Sequence, residues 1–350
     1  MKGRLLVAAA ALVLVAPVLA ARPQVTGRAW LVENGATGEV LLVHNARQRV
    51  PIASITKLMT VLLTLEHVRL NDVVTVTRDA ASVGESSANL RPGERLTVRE
   101  LLEAALIQSA NDAADALADY VGHGSQARFV AMMNARARRL GLRNTHYVRP
   151  DGLDAAGHYS SARDVTFLAR VLMHYPVVRQ IVRRRTAAIT GASLHTWGWS
   201  EIAAARRGGV SIYATLIGSP DRGRRNADLT RLLDWGFSQY VRARPVVKGR
   251  AYAEARLAYG RSPLKLIAAG SLAAPFRAGL PVVRRVVFPD VVSLPVSRGQ
   301  SLGKVRIYQR GRLVGAVPLL ASRSVGRPGV AGRAGWYARR TLHHMAGWFS

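Results

Sequence analysis

Two patterns of apolar and polar residues divide the chain. Up to about residue 243, segments with strand-like alternation are mixed with longer apolar segments of helical period. Residues 29–43 predict a β-hairpin around an Asn-Gly turn. Further strands are expected at 72–77, 186–190, 201–205 and 210–217, and helices at 51–65, 97–107, 113–121, 126–140, 161–173 and 226–237. This order predicts a mixed α/β fold in which helices pack on a sheet.

The pattern changes at about residue 244. Short Val-rich segments separated by Gly, Pro and Arg turns predict a small all-β domain at 244–322. Residues 323–350 predict a basic, Gly-rich linker and an amphipathic C-terminal helix. The residues on one side of this helix are Trp336, Arg340, His344 and Trp348. Such a helix suits an anionic membrane surface, but it also suits docking on its own β-domain, and both interpretations stay open.

The N-terminus has the three parts of a secretory signal. Lys2 and Arg4 form a charged region, residues 5–15 form an apolar one, and small residues lead up to Ala20. The apolar stretch is too short and too rich in alanine for a convincing transmembrane span. We therefore predict a signal peptide at 1–21 and an exported, extracytoplasmic protein of the cell wall or periplasm. An uncleaved membrane anchor is the alternative.

The amino-acid composition excludes several classes of protein and of functional site. The 350 residues are 49% hydrophobic, which supports one large or two moderate folded domains rather than a disordered chain. The chain has no cysteine, which excludes a disulfide scaffold, a cysteine nucleophile and a thiolate metal site. His146 and His158 have no metal-ligand partner at helical or hairpin spacing, and we interpret both as structural. No metal or cofactor is implied.

The formal net charge of +29 points to anionic partners. Arginines are spread along the chain rather than gathered in one arm, and no zinc-finger or RNA-binding signature is present. We therefore expect no specific nucleic-acid partner. For an exported protein, anionic wall polymers or anionic lipids are the more plausible partners.

A Ser-x-x-Lys sequence, from Ser54 to Lys57, lies at the start of the first apolar helix. Residues three apart share a helix face, so the lysine amine is expected beside the serine hydroxyl. A serine becomes a good nucleophile when an adjacent base takes its proton, and a lysine can be that base when burial lowers its pKa. The sequence also fits a helix cap followed by a solvated lysine, although the apolar flanks disfavour that interpretation.

A second short sequence, Ser109-Ala110-Asn111, follows at a predicted turn between two helices. On its own it fits a helix cap. Ser-x-x-Lys followed by Ser-x-Asn is, however, the first pair of motifs in the penicillin-recognising serine acyl transferases. In that setting Ser109 could pass a proton between Lys57 and the leaving group, and Asn111 could hydrogen-bond the substrate amide.

With these motifs, the chain resembles the low-molecular-mass serine D-alanyl-D-alanine carboxypeptidases, the penicillin-binding proteins that trim peptidoglycan. The segments that carry the resemblance are 53–60, 90–94, 108–114, 133–134, 150–153, 158–164 and 232–237. The resemblance implies a penicillin-binding-protein/β-lactamase-like domain at 22–243, in which the nucleophile helix packs against an antiparallel sheet. It also implies a β-rich second domain and an amphipathic C-terminus that often holds such enzymes to the membrane.

The resemblance assigns roles to four residues. Ser54 would be the acylated nucleophile and Lys57 its base, with Ser109 as the proton relay and Asn111 as a substrate contact. The Ser54 backbone N–H would form half of the oxyanion hole. The implied reaction attacks the D-Ala-D-Ala bond of peptidoglycan stem peptides, releases D-alanine and hydrolyses the acyl-enzyme with water. β-Lactams would be covalent inhibitors.

One motif of the family is not found. Its Lys-Thr-Gly element binds the substrate carboxylate and helps to keep the base lysine neutral, but here no lysine lies between Lys57 and Lys248. We expect that a segment is missing, with the join near 197–199. Arg183, Arg184 or Arg185 are candidates for a replacement cation. The alternative to an impaired enzyme is an inactive relative that binds peptidoglycan or membrane.

Overall fold

The computed structural model describes residues 5–12, 20–190, 192–195 and 201–346. The chain divides into two compact units, Ala21–Phe237 and a second unit made of Met1–Ala20 with Ser238–Ser350. The boundary lies a few residues before the predicted one at 243. The reason is that the strand Tyr240–Val246 pairs with Leu272–Arg277 inside the second unit.

Strands and helices are numbered here in chain order. The described strands are β1 Leu5–Leu12, β2 Ala29–Asn34, β3 Val40–His44, β4 Val73–Thr75, β5 Arg95–Thr97, β6 Thr186–Ile189, β7 Ala192–His195, β8 Ile202–Arg207, β9 Val210–Ile217, β10 Tyr240–Val246, β11 Ala251–Leu257, β12 Leu264–Ala268, β13 Leu272–Arg277, β14 Val282–Pro289, β15 Val291–Val292, β16 Ser301–Gln309 and β17 Arg312–Ala321. The described α-helices are α1 Lys57–His67, α2 Arg78–Ala81, α3 Val98–Glu103, α4 Asn111–Val121, α5 Gln126–Arg139, α6 Ala162–Leu172, α7 Pro176–Ile181, α8 Arg222–Ser238 and α9 Val330–Ala346. Short turns of 3-10 type lie at Ala53–Thr56 and Ala258–Gly260, and a π-helical turn lies at Ala104–Gln108.

The first unit is built on an antiparallel sheet with the strand order β3-β2-β9-β8. Every residue of β2 is buried, as expected of a central strand, and α6 packs across β2 and β9. The buried carboxylate of β2, Glu33, is paired with Arg170 of α6 at 3.2 Å. Burial raises the pKa of Glu33, against the opposing charge of Arg170. The predicted α/β class, with helices packed on an antiparallel sheet, is confirmed.

Both predicted hairpins of this sheet are present. In the β2–β3 turn, Asn34 Oδ1 accepts hydrogen bonds from the backbone N–H groups of Ala36 at 2.9 Å and Thr37 at 3.1 Å. A short amide side chain that bonds the backbone two and three residues on favours a turn at this point. In the β8–β9 turn, Gly208 and Gly209 have φ of 56° and 88°, which glycine adopts readily.

The helix α1 runs through the core of the first unit. Most of its residues are buried, and α4, α5 and α6 pack against it. A helix that is covered on most sides needs apolar residues all round, which accounts for the run Val61-Leu62-Leu63. Lys57, at its first turn, is therefore a charged residue in an apolar environment.

The predicted capping box opens α3. Glu100 N donates to Thr97 Oγ1 at 3.2 Å, and Thr97 N donates to Glu100 Oε2 at 2.8 Å. The π-helical turn after α3 was not expected, nor was its end at Ser109 in the left-handed region, with φ of 61°. As a result α4 begins at Asn111 rather than at 113. α8 likewise begins at 222, four residues before its predicted start at 226.

The second unit is β-rich, as predicted. Its main sheet has the strand order β1-β14-β16-β17-β12-β11-β15, and β10 pairs with β13 in a smaller one. The side chains that form its core alternate with outward residues along each strand, and include Leu266, Phe276, Val305 and Ile307.

The C-terminal helix α9 contacts the turn at Ala258–Gly260. The Trp336 ring lies edge-on to Tyr259, with centroids 5.6 Å apart. This contact supports docking on its own domain for that end of the helix. The other predicted members of its aromatic and basic side, the side chains at 340 and 344 and all of 348, lie outside what the structure describes. None of the helices in the described part of the chain is long and apolar enough to span a bilayer.

Residues predicted as the apolar part of a signal peptide form β1. This strand pairs antiparallel with β14, from Leu5 opposite Pro289 to Leu12 opposite Val282. The signal peptide at 1–21 stays a prediction.

Candidate active site

Ser54 lies in the 3-10 turn Ala53–Thr56, which leads directly into α1. Its side chain is exposed, whereas Lys57, three residues later, is 2% exposed. The turn is tight: Ala53 has a φ of 44°, in the left-handed region that non-glycine residues seldom adopt. The turn thus presents the hydroxyl to solvent and the amine to the core.

The Lys57 amine has three hydrogen-bond partners. Nζ lies 3.0 Å from Ser54 Oγ, 2.7 Å from Asn111 Oδ1 and 2.7 Å from the Asp151 carbonyl oxygen. An ammonium group has three protons to donate, so these contacts satisfy it completely. The amine therefore has one fixed position beside the Ser54 hydroxyl.

Burial is the main influence on the protonation of Lys57. It lowers the pKa of the amine to about 8, because the charged form loses its hydration. The negative charges of Asp151, Asp115, Asp112 and Glu85 act in the opposite direction. A lysine with a pKa near 8 is partly neutral at physiological pH, so it can accept a proton from an adjacent hydroxyl.

Asp115 is an acid in this environment that the sequence interpretation missed. It lies one helical turn after Asn111 on α4, is 3% exposed, and accepts one hydrogen bond, from Gln126 Nε2 at 3.1 Å. Its Oδ1 has no partner among the described residues. Burial, and then the charge of Asp151, raise the pKa of Asp115 to about 7. Its position one turn from Asn111 in an Ala-rich helix was the available signal.

The left-handed turn at Ser109 brings Asn111 to Lys57. Asn111 is 2% exposed; its Oδ1 accepts from Lys57, and its Nδ2 donates to the Gly84 carbonyl at 3.0 Å. Both ends of this amide are therefore occupied by protein groups. Ser109 is half-buried at the same turn, and its hydroxyl makes no hydrogen bond within the described part of the chain.

A loop around Asp151 and Gly152 packs against the turn at Ala53–Thr56, which contains Ser54. Asp151 is fully buried, and its carboxylate forms a two-point ion pair with Arg149, with both contacts at 2.6 Å. Gly152 has a φ of 90°, and a Cβ placed there would lie 2.0 Å from the Ala53 carbonyl oxygen. Only glycine allows the loop to approach the Ser54 turn this closely. The resemblance included this segment, but gave its residues no role.

The two histidines hydrogen-bond within the same region. His158 Nδ1 accepts from Val148 N at 3.1 Å, so Nε2 carries the proton and donates to Thr56 Oγ1 at 2.7 Å. Burial lowers the pKa of His158, which favours this neutral form. His146 Nδ1 donates to the Gly157 carbonyl at 2.7 Å. These contacts support the structural interpretation of both residues.

The sequence Lys-Thr-Gly does not occur among the described residues. β8 is the edge strand of the described sheet, and its sequence from Ile202 to Arg207 contains no lysine. Of the three candidate arginines, Arg184 is paired with Glu103 at 2.8 Å, while Arg183 and Arg185 are exposed. The expected join near 197–199 lies outside the described residues.

The fold and the serine–lysine pair together define a class, the penicillin-binding-protein-like domains that carry Ser-x-x-Lys at the start of a core helix. Among solved structures, penicillin binding protein 6B from Escherichia coli matches with a TM-score of 0.61 at 25% identity, covering 87% of this chain and 98% of that one. The similarity extends over both units.

Sequence comparison narrows this class to one family. The family profile of peptidase S11, D-alanyl-D-alanine carboxypeptidase, matches residues 16–204. The chain is 30% identical to the D-alanyl-D-alanine carboxypeptidase DacC of Escherichia coli (strain K12), over 94% of this chain and 92% of that protein. It is also 30% identical to DacF of Bacillus subtilis (strain 168), over 84% of each. The chain belongs to the peptidase S11 family of D-alanyl-D-alanine carboxypeptidases, the low-molecular-mass penicillin-binding proteins.

Proposed function

We propose that this chain is a serine D-Ala-D-Ala carboxypeptidase that acts on peptidoglycan stem peptides through an acyl-enzyme, and that β-lactams acylate it at the same serine. The observation that carries the proposal is the contact between the buried Lys57 amine and the exposed Ser54 hydroxyl, 3.0 Å apart. Family membership supports the substrate class, since the curated relatives are named D-alanyl-D-alanine carboxypeptidases.

The proposed acylation begins with neutral Lys57. With a pKa of about 8, roughly a tenth of the lysine is neutral at pH 7. The amine takes the Ser54 proton as Oγ attacks the carbonyl carbon of the penultimate D-alanine. The peptide C–N bond then breaks, and D-alanine leaves with a proton passed from Lys57 through Ser109. Water hydrolyses the resulting ester and restores the Ser54 hydroxyl.

Two further groups take part in this proposal. The Ser54 backbone N–H would stabilise the developing oxyanion. Asn111 would contact the substrate amide. To do so, its Nδ2 would stop donating to the Gly84 carbonyl and donate to a substrate oxygen instead. Its Oδ1 stays on Lys57, so one residue would link the base to the substrate.

We propose that the missing Lys-Thr-Gly element makes this enzyme slow. No lysine lies between Lys57 and Lys248 to bind the terminal carboxylate of the substrate. An unpaired carboxylate in a binding site costs several kcal/mol, which corresponds to a loss of about a thousandfold in rate or affinity. Acylation by a reactive β-lactam should suffer less than turnover of a peptide, because the strained ring supplies part of the driving force.

The test is the intact mass of the protein after exposure to a penicillin, with Ser54→Ala as the control. We expect an adduct of one penicillin that is absent from the variant. D-alanine release from a pentapeptide is then measured with the same pair of proteins. No adduct on a folded wild-type protein would show that the site fails at its first step.

A second candidate function is that of an inactive relative that binds peptidoglycan or an anionic membrane. The observation that favours it is the lysine-free edge strand β8 together with the net charge of +29. It predicts that binding to isolated cell walls, or to anionic liposomes through α9, persists in Ser54→Ala. Binding that requires Ser54 would contradict it.

The proposed function places the protein outside the cytoplasm, with residues 1–21 as the signal. N-terminal sequencing of the exported protein tests this placement. A mature start at or next to residue 21 is expected, and an intact Met1 on the membrane fraction would show an uncleaved anchor instead.

A further inference from the structure

The positive charge of the protein is concentrated in its C-terminal third. Residues 238–350, about a third of the chain, contain twenty lysines and arginines against two acids, Glu254 and Asp290, a net of +18 out of +29. Asp290 is paired with Arg256. Glu254 lies directly opposite Lys265 on the neighbouring strand. Neither acid is therefore placed to neutralise the remaining cations.

Three of these cations lie together on the outer face of β14 and β16 in the main sheet. Arg285 of β14 lies directly opposite Arg306 of β16, and Lys304 precedes Arg306 by two residues on the same face. Val305 and Ile307, between and after them, are fully buried on the other face. We call the surface formed by Arg285, Lys304 and Arg306 the basic face. The Cβ atoms of these residues are about 5 Å apart across the two strands and about 7 Å apart along β16.

The basic face is exposed and carries uncompensated charge. Arg285 and Lys304 are exposed and Arg306 is half-buried. Among the described residues, Arg285, Lys304 and Arg306 take part in none of the ion pairs, whereas Arg256 of the same unit is paired with Asp290. The Arg285 guanidinium lies over the Tyr308 ring, 5.1 Å from its centroid, which fixes the side chain without neutralising it.

This arrangement works against folding. Like charges directly opposite each other across two strands destabilise a sheet, and β14, β16 and β17 contribute no acidic side chain that would offset the repulsion. On the neighbouring strand β17, Ala316 lies opposite Arg306 and Pro318 lies opposite Lys304. Both side chains are small and exposed, so neither covers the cations. An arrangement of this kind is stabilised by an anionic ligand that binds across the pair.

We infer that the basic face binds a linear polymer of repeating phosphate groups, such as an anionic polymer of the cell envelope. A polymer of regularly spaced anions can contact cations on adjacent strands and along one strand at the same time. Each phosphate bound releases counterions, which drives such binding and makes it sensitive to salt. The inference concerns the second unit alone and does not depend on the activity of Ser54.

Two other anionic partners fit this face less well. Membrane binding uses apolar side chains inserted next to the cations. The exposed large apolar residue of β17, Leu313, instead lies opposite Tyr308 near the hairpin end. Single-stranded nucleic acid binds through aromatic rings that are open for base stacking, and the Tyr308 ring is covered by Arg285.

The experiment compares two triple variants of the full chain, each of which removes three positive charges. One is R285Q/K304Q/R306Q on the basic face, and the matched control is R250Q/R261Q/R298Q, at exposed arginines elsewhere in the same unit. Binding of inorganic polyphosphate is measured by calorimetry at several salt concentrations. Vesicles of phosphatidylglycerol and a DNA oligonucleotide of the same charge serve as the alternative ligands. R285K/R306K keeps the charge and tests for a folding defect.

We expect the basic-face variant to lose about tenfold or more in polyphosphate affinity, with a salt slope smaller by about 2. The control variant and R285K/R306K should stay within about twofold of wild type, and so should Ser54→Ala. Equal losses in both triple variants would overturn the inference, because the binding would then be nonspecific. Loss of vesicle binding alone, or tighter binding of DNA than of polyphosphate, would overturn the choice of ligand.

Discussion

At the scale of single residues, the charge of Asp115 should raise the pKa of Lys57, against the larger effect of burial. With a pKa of about 7, Asp115 is mostly ionised at pH 8, and its charge favours the protonated lysine. We predict that Asp115→Asn lowers the Lys57 pKa below about 8. The measurement is a ¹³Cε-lysine NMR titration, which is simple here because the chain has five lysines and Lys57 is the one within 21–237.

Asp119→Asn is the matched control for Asp115. It lies on the same helix, half-buried, and accepts one hydrogen bond from Thr77 Oγ1 at 2.6 Å. Its replacement should leave the Lys57 titration unchanged. If the proposed acylation also holds, the rate of penicillin acylation rises as Lys57 loses its proton, and the Asp115→Asn profile moves to lower pH. A Lys57 titration that is identical in wild type and Asp115→Asn would refute the role of Asp115.

Gly152 tests how the Ser54 turn is held. Gly152→Ala would place a Cβ 2.0 Å from the Ala53 carbonyl oxygen at a φ of 90°. Backbone strain and overlap together should cost about 3 kcal/mol or more of unfolding free energy. Gly157→Ala is the control: its φ is 80°, but its nearest atoms are 3.9 Å away. It should cost about 1–2 kcal/mol, from strain alone.

Urea unfolding of the two glycine variants measures the difference. A similar midpoint for both would mean that the loop moves away from Ala53 at little cost. In that case the contact between Gly152 and the Ser54 turn would not position Ser54.

The sequence predicted part of this site, because part of it is local. Ser54 and Lys57 are one helical turn apart, so their contact follows from helix geometry. The other two hydrogen-bond partners of Lys57, Asn111 and the Asp151 carbonyl, are 54 and 94 residues away along the chain. No rule of local structure predicts that segments so far apart in sequence come into contact. Asn111 was found through a family motif. Asp115 belongs to no motif, and its importance follows from burial alone.

At the scale of elements, Asp112 connects the start of α4 to the loop between α2 and β5. Its carboxylate accepts from the backbone N–H groups of Ala88 and Leu90, both at 3.0 Å, and from Ser87 Oγ at 2.6 Å. The same loop supplies the Gly84 carbonyl that binds Asn111. The loop and the lysine site are thus connected through the first turn of α4.

We predict that Asp112→Asn destabilises the protein by about 2–3 kcal/mol, because an amide NH₂ must then face a backbone or hydroxyl donor. Thermal unfolding measures the loss, and amide hydrogen exchange at Ala88 and Leu90 localises it. The Asp119→Asn variant should cost less than about 1 kcal/mol. Unchanged exchange at both amides would contradict this role.

Elements with a strong hydrophobic period, or with residues that favour a particular turn or cap, were predictable from the sequence. Elements whose form depends on tertiary packing were not. The Asn34 turn, the Gly208-Gly209 turn and the Thr97 capping box follow from side-chain chemistry within a few residues. The π-helical turn after α3 has no such signal, because its extra residue is accommodated by tertiary contacts. The pairing of β1 with β14 joins residues far apart in sequence, and the apolar pattern of 5–12 also fits a signal.

At the scale of the whole molecule, the uneven charge predicts an uneven response to salt. Residues 21–237 have twenty-eight lysines and arginines against nineteen acids, a net of +9, while 238–350 carry +18. Raising the salt from about 10 mM to about 150 mM shortens the screening length from about 30 Å to about 8 Å. The repulsion among like charges then falls most in the second unit, because that unit has the larger net charge. We predict that raising the salt concentration slows amide hydrogen exchange more in β16, of the second unit, than in β9, of the first. Equal slowing in the two strands would contradict this prediction.

In the proposed mechanism, the long-range contacts of Lys57 also determine when during folding Ser54 becomes reactive. Asn111 and the Asp151 carbonyl are 54 and 94 residues from the lysine, and Thr56 reaches His158 across 102 residues. Contacts between distant segments form late, after the intervening chain has collapsed. An unfolded or half-folded chain has an ordinary, protonated lysine and an inert serine. If the proposed acylation holds, a newly made molecule would become reactive only once it has finished folding, and a labelled penicillin would count native molecules alone.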